Sequence, residues 1–177
     1  MNVQLHDKIF KPLISEAEIQ KAVVSIANKI DSDYTTNSPI ILPVLDGAFV
    51  FAAALTNKLE CKAEYSFIKF KSYHNTQSTG TVSKLLGLDI DIKNKDILLV
   101  EDIIDTGLTI SYLLEELKKY QPKSIKVATL LSKPEAIKVH LQIDYCGIEI
   151  PNNFIVGYGM DYNGLGRNLN EIYVVDE

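Results

Sequence analysis

The stretch Ile97 to Ile110, ILLVEDIIDTGLTI, decides the fold. It starts as an apolar run that reads as a strand over 96–100 and then sets Glu101, Asp102 and Asp105 close together in an acidic turn over 101–107. Gly107 and Thr109 follow, ahead of a helical pattern over 109–121 that stops at Pro122 and places acids before bases as a helix dipole favours. Strand, turn and helix in that order make half of a βα unit. In an open α/β sheet, ligands sit beyond the carboxyl ends of the strands, so the turn lies where function is expected.

The same rhythm continues on either side. Ser15 and Glu18 form a capping-box signature ahead of Ala22, Val23, Ile26, Ala27 and Ile30, whose spacing builds one apolar helix face ending near Asp31. PIILPVL (39–45) reads as a strand interrupted by Pro43, and GAFVFAAALTNKL (47–59) as a buried helix that opens on a glycine. AEYSFIKFKSY (63–73) and SIKVATLL (124–131) are two further strands, and YCGIEI, FIVGYG and IYVV supply short ones toward the C-terminus. Near-continuous apolar strands predict burial on both faces and hence a mainly parallel central sheet.

Composition narrows the function. The 177 residues, 46% of them hydrophobic, suit one globular domain over 1–177. A net charge of −5 and a pI near 5.2 give no electrostatic footprint for duplex nucleic acid or an anionic membrane, so neither is expected as a partner. Cys61 and Cys146 stand far apart without a CxxC partner, which predicts core thiols in a reducing compartment and no zinc site. No run of ~18 apolar residues occurs, so a soluble cytoplasmic protein is expected.

The turn itself combines opposites. Thr106, Gly107, Leu108 and Thr109 bring backbone N–H groups to a helix start, which attracts anions, while Glu101 and Asp102 are acids beside it. A sugar phosphate reconciles them: amides and threonine hydroxyls take the phosphate, and the carboxylates accept from vicinal hydroxyls or hold Mg²⁺. The bland alternative, in which Glu101 and Asp102 are solvated and Asp105 caps the helix, explains single acids better than this whole pattern.

VEDIIDTGLT (100–109) resembles the phosphoribosyl pyrophosphate signature of the purine phosphoribosyltransferases. LPVLDGAFVFAA (42–53), FIKFKSYHNTQSTG (67–80), LLSKP (130–134) and EIPNNFIVGYGMDYNGLGRNL (149–169) extend the likeness to the hypoxanthine-guanine branch in chain order. The resemblance implies the α/β type I phosphoribosyltransferase fold, a central parallel sheet flanked by helices with a small hood built from both chain ends. It implies transfer of a 5-phosphoribosyl group to a 6-oxopurine with Mg²⁺, in a homodimer or homotetramer that takes small-molecule substrates.

Carried over by residue, the resemblance makes Asp105 the general base near the purine N7. Glu101 and Asp102 become ribose and Mg²⁺ ligands, and Thr106, Gly107, Leu108 and Thr109 the 5′-phosphate cradle. Asp46, Gly47, Lys69 and Arg167 would meet pyrophosphate, with Asp161 at a second Mg²⁺. Lys133 would donate to the purine O6, Phe154 would stack on the base, and Ile155 would offer backbone contacts. Ser72 and Tyr73 would belong to a lid within KSYHNTQSTGTV (71–82).

Two departures stand out. Asp46 replaces a basic residue of many relatives, leaving the backbone N–H groups of Asp46 and Gly47 to bind pyrophosphate through a strained or cis peptide. Leu108 replaces a lysine found in some. Two other readings remain: a nucleotide-sensing regulator of this fold that binds RNA or DNA, and an adenine- or pyrimidine-specific enzyme.

Overall fold

Alternation along the strands determines how the layers stack. Ile40, Leu42 and Val44 of β3 (Ile40–Leu45) pack on one side of the sheet, and Ile41 on the other. Leu98 and Val100 of β7 (Asp96–Ile104) likewise oppose Ile97 and Leu99. A strand with apolar residues at both phases has to be covered twice, and helices do the covering. Helices α1 (Glu16–Asp33) and α2 (Phe49–Thr56) close one face, where Ile26, Ile30, Phe51 and Leu55 are buried. Helix α3 (Leu108–Lys118) closes the other through Ile110, Leu113 and Leu117.

This computed structural model describes residues 1–74, 81–86 and 88–176, with side chains described outside 70–87. The main sheet runs β6-β5-β3-β7-β8-β9, with β4 (Glu64–Tyr65) also paired to β3. Strand β8 spans Ser124–Ser132 and β9 Tyr145–Glu149. All pairings from β5 (Ile68–His74) through β3, β7, β8 and β9 are parallel, as expected; β6 (Thr81–Leu86) alone runs antiparallel to its neighbour β5. A second, antiparallel sheet of order β1-β2-β11-β10 joins the chain's two ends: β1 (Val3–Leu5) and β2 (Lys8–Ile14) with β10 (Ile155–Val156) and β11 (Ile172–Val175). Phe10, Val156 and Tyr173 fill its own small core.

Several boundaries differ from the sequence reading. Strand β7 continues to Ile104 rather than stopping at Val100, because it keeps pairing with β8, Glu101 opposite Thr129 and Ile103 opposite Leu131. The acidic turn therefore shrinks to 105–107. Helix α1 runs two residues past Asp31, and α3 ends at Lys118. Helix α2 begins at Phe49 after Ala48, not at Gly47. The strand expected over 63–73 breaks at Ser66 and Phe67. The segment 71–82, expected to be loop, has both ends in β5 and β6, which pair in register from Lys69↔Leu86 to His74↔Thr81. The lid residues Ser72 and Tyr73 fall on β5 with side chains outside the described residues, as does the whole of 75–80. Cys61 and Cys146 are free but half-buried at the margin of the core rather than inside it.

Candidate active site

Everything nominated on β7 converges at its carboxyl end. Glu101 is 8% and Asp102 6% exposed, since a parallel strand in mid-sheet carries its side chains into the interior. Asp102 N–H donates to Glu101 Oε1 at 3.2 Å and Ile103 N–H to Asp102 Oδ1 at 2.8 Å. Burial, reinforced by the neighbouring Asp102 carboxylate, holds Glu101 well above the ordinary carboxylate range, and burial also raises Asp102. Among the described residues neither acid has a lysine or arginine within ion-pair distance. Two buried carboxylates side by side present the hard oxygen donors that Mg²⁺ prefers, and a divalent cation would remove the electrostatic cost of ionising both. Glu101 and Asp102 thus fit the ion; no group of three or more His, Cys, Asp or Glu side chains is disposed around one centre among the described residues.

The next turn is built to meet an anion. Gly107 takes φ +77 as the N-terminal residue of α3, where a Cβ would crowd Val139 and Leu141. No side chain caps this helix: Asp105, which could have done so, turns elsewhere, and Leu108 N–H reaches only Thr106 Oγ1 at 3.5 Å. The first-turn N–H groups are therefore available to a ligand. They line a cavity of about 310 Å³ with Glu101, Asp105, Thr106, Gly107 and Thr109, closed at the back by Val44, Leu45, Ile104 and Ile110. The exposed Leu108 side chain does not line it.

A second cavity, of about 330 Å³, shares Gly47, Ile103 and Asp105 with the first. Its remaining walls are Asp102, Lys133, Phe154, Ile155, Met160, Asp161 and Arg167. Lys133 stands one residue beyond β8, its backbone N–H bonded to Ile104 O at 2.9 Å. Its side chain is 7% exposed, and its ammonium donates to Asp105 Oδ2 at 2.7 Å, so the two residues nominated for acid-base work and for purine reading touch each other. Phe154 precedes β10 rather than opening it and is 45% exposed, with Tyr162 edge-on at 5.7 Å. A phenyl ring held by a neighbour yet left open on one side is a stacking surface, whereas Ile155 beside it is buried.

Both cations expected at pyrophosphate already hold carboxylates. Arg167 Nη2 lies 2.7 Å from Asp161 Oδ1 and its Nη1 donates to Gly159 O at 2.7 Å. The other oxygen of Asp161 accepts from Gly164 N–H at 2.7 Å. Lys69 Nζ sits 2.6 Å from each oxygen of Asp46. The Leu45–Asp46 peptide is cis, as anticipated. Leu45 and Gly47 line the first cavity while the Asp46 side chain does not.

Two glycines hold these parts together: Gly47, already nominated at the pyrophosphate site, and Gly159, which the sequence reading passed over. A Cβ on Gly47 would run into the Asp102 carboxylate, and one on Gly159, at φ +104, into the carbonyl of Gly47. The signal was present in the glycine-dense run from Gly157 to Gly166, but which backbone each glycine would meet was not.

Comparison with known proteins agrees with this geometry. Residues 14–163 match the model of the phosphoribosyl transferase domain family. The hypoxanthine-guanine phosphoribosyltransferase of Bacillus subtilis is 44% identical, the match covering 96% of this chain and 94% of that one. Its counterpart from Aquifex aeolicus is 38% identical over 98% of this chain and 99% of its own. The crystal structure of a hypoxanthine-guanine phosphoribosyltransferase from Bacillus anthracis, with HEPES in its active site, superposes with a TM-score of 0.86 at 41% identity, covering 94% of this chain and 98% of that one. The chain belongs to the phosphoribosyl transferase family, on its hypoxanthine-guanine branch.

Proposed function

We propose that the protein transfers the 5-phosphoribosyl group from phosphoribosyl pyrophosphate to hypoxanthine and to guanine, giving IMP or GMP and pyrophosphate, as a purine salvage enzyme. The observation that carries this reading is the pair of cavities meeting at Asp105: one lined by uncapped helix-start N–H groups, the other by Lys133 and Phe154. A sugar phosphate fits the first and a planar base with an acceptor oxygen the second.

In this reading the amides of 106–109 with the Thr106 and Thr109 hydroxyls hold the 5′-phosphate. Glu101 and Asp102 hold the ribose 2′ and 3′ hydroxyls and Mg²⁺, with Asp161 serving a second ion by exchanging partners with Arg167. Bound Mg²⁺ supplies charge neutralisation to the departing pyrophosphate. The purine lies on Phe154, takes a hydrogen bond from Lys133 at O6, and meets Ile155 backbone at its edge. Adenine, whose amino group would face the Lys133 donor, is disfavoured.

Asp105 accepts the N7 proton as N9 attacks C1 of the ribose, and its charge also favours the oxocarbenium-like transition state. The Lys133 ammonium holds that carboxylate in place. Backbone N–H groups of Asp46 and Gly47, with Lys69 and Arg167 nearby, receive the pyrophosphate. The soluble enzyme is expected to work in the cytoplasm as a homodimer or homotetramer.

The test is a turnover panel of adenine, hypoxanthine, guanine and xanthine with phosphoribosyl pyrophosphate and Mg²⁺. Hypoxanthine and guanine are expected to react and adenine not. Turnover of none of the 6-oxopurines sinks the reading.

A further inference from the structure

Charge around the two cavities is arranged in an unexpected way. Among the described residues, three cations at or beside the cavities each carry an acid: Lys133 carries Asp105, Arg167 carries Asp161, and Lys69 carries Asp46. Glu101 and Asp102 add two further acids with no such cation among the described residues. Together these side chains offer no net positive charge to a leaving group that bears several negative ones.

The Lys69–Asp46 pair joins the end of β3 to its neighbour β5. These strands run parallel with Leu45 opposite Lys69, and Asp46 is the residue that follows Leu45. Both carboxylate oxygens then reach the ammonium at 2.6 Å. Meanwhile Leu45 and Gly47, on either side of Asp46, line the cavity. The backbone of this turn faces the ligand while its side chain ties up the nearest lysine. The pair is partly exposed, so its contribution to stability is small; its effect on the neighbouring anion site is electrostatic.

We infer that Asp46 is a specificity-determining residue of the leaving-group subsite: it masks Lys69 and so weakens the subsite's hold on bare pyrophosphate. The inference rests on the phosphoribosyl-transfer reading above. Removing the Asp46 charge unmasks Lys69 for the anion.

Titration calorimetry with inorganic pyrophosphate in low-salt buffer containing EDTA tests this on the wild type, Asp46→Asn, Asp46→Ser and the double variant Asp46→Asn/Lys69→Met. Circular dichroism checks that each is folded. Without metal, Asp46→Asn and Asp46→Ser are expected to bind pyrophosphate about tenfold or more tightly than the wild type, as removing a unit charge next to a polyanion predicts at low ionic strength. The double variant is expected to lose that gain. If the folded Asp46 variants bind bare pyrophosphate no more tightly than the wild type, or if the gain survives loss of Lys69, the inference fails. A wild type that binds phosphoribosyl pyrophosphate with Mg²⁺ then leaves the functional reading standing, whereas one that binds neither it nor magnesium pyrophosphate overturns both.

Discussion

At the scale of single residues, the contact between Asp105 and Lys133 is the most informative. A carboxylate whose side chain is 48% exposed and an ammonium that is 7% exposed meet at 2.7 Å, so the lysine is buried and fixed while the acid keeps one oxygen toward the cavity. That arrangement suits a carboxylate that must accept a proton and an ammonium that must not wander. Asp105→Asn keeps the shape and removes the proposed proton acceptor. It is expected to lower kcat by about 100-fold while changing the KM for phosphoribosyl pyrophosphate by less than about threefold. Steady-state kinetics decide it, and equal losses in both would remove Asp105 from the proton transfer. Lys133→Ala deletes the donor proposed for O6. The ratio of kcat/KM for hypoxanthine over adenine is expected to fall by at least about tenfold, as for other sites that read an exocyclic group by hydrogen bond. Unchanged base selectivity would sink that assignment.

Between elements, glycines set how closely backbones approach. The loop after β10 crosses over the turn between β3 and α2, where Gly159 touches the carbonyl of Gly47 and Gly47 in turn touches Asp102. Two segments far apart in sequence are thereby stacked against the end of β7. Hydrogen bonds from Gly159 N–H to Arg167 O at 3.0 Å and from Arg167 Nη1 back to Gly159 O close the loop. Gly159→Ala adds a methyl that runs first into the Gly47 carbonyl, which is backbone, and does so where φ is +104, a region that side chains avoid. A loss of on the order of 2 kcal/mol or more is expected, measurable as a lower denaturant midpoint. A midpoint within experimental scatter of the wild type would show that the loop yields at no cost. This contact was invisible locally, whereas the cap of α1 was not: Ser15 and Glu18 form the reciprocal capping box that their spacing announces.

Over the whole molecule, function and stability pull in opposite directions at β7. Glu101 and Asp102 lie between two hydrophobic layers, and burial raises both. A carboxylate raised in the folded state penalises folding above that raised value, and the penalty lifts as pH falls through it. In metal-free buffer, moving from neutral pH down toward the ordinary carboxylate range is therefore expected to raise the melting temperature. Further acid reverses the trend, since surface acids such as Asp33, lowered by its hydrogen bonds from Lys126 and Tyr145, lose their partners there. Glu101→Gln removes the buried charge. It is expected to raise the metal-free melting temperature at neutral pH by on the order of 3 °C, flatten the pH response and depress turnover. Thermal scans with and without EDTA check it, and a lower melting temperature would mean that the pair stabilises the fold.

The local grammar of strand, turn and helix was legible in the sequence because apolar periodicity and turn chemistry are short-range properties. The parallel sheet and the acidic, amide-lined turn at 100–109 followed from it, whereas the site positions beyond that turn came from the resemblance to the family. Where the reading stopped short, the missing information was long-range. The strand through Glu101 and Asp102 outlasts its apolar run because β8 supplies the hydrogen bonds. The residues around 71–82 look like loop, yet β5 and β6 pair across them. The ion pairs Asp105–Lys133 and Asp46–Lys69 join segments far apart in sequence, each placed by the end of a different strand. Periodicity states which way a side chain faces, but only the register between distant segments states what it meets. That is why the sequence alone specified the family and its acids, and the tertiary structure alone decided which of them are buried, which are paired and which remain open to a ligand.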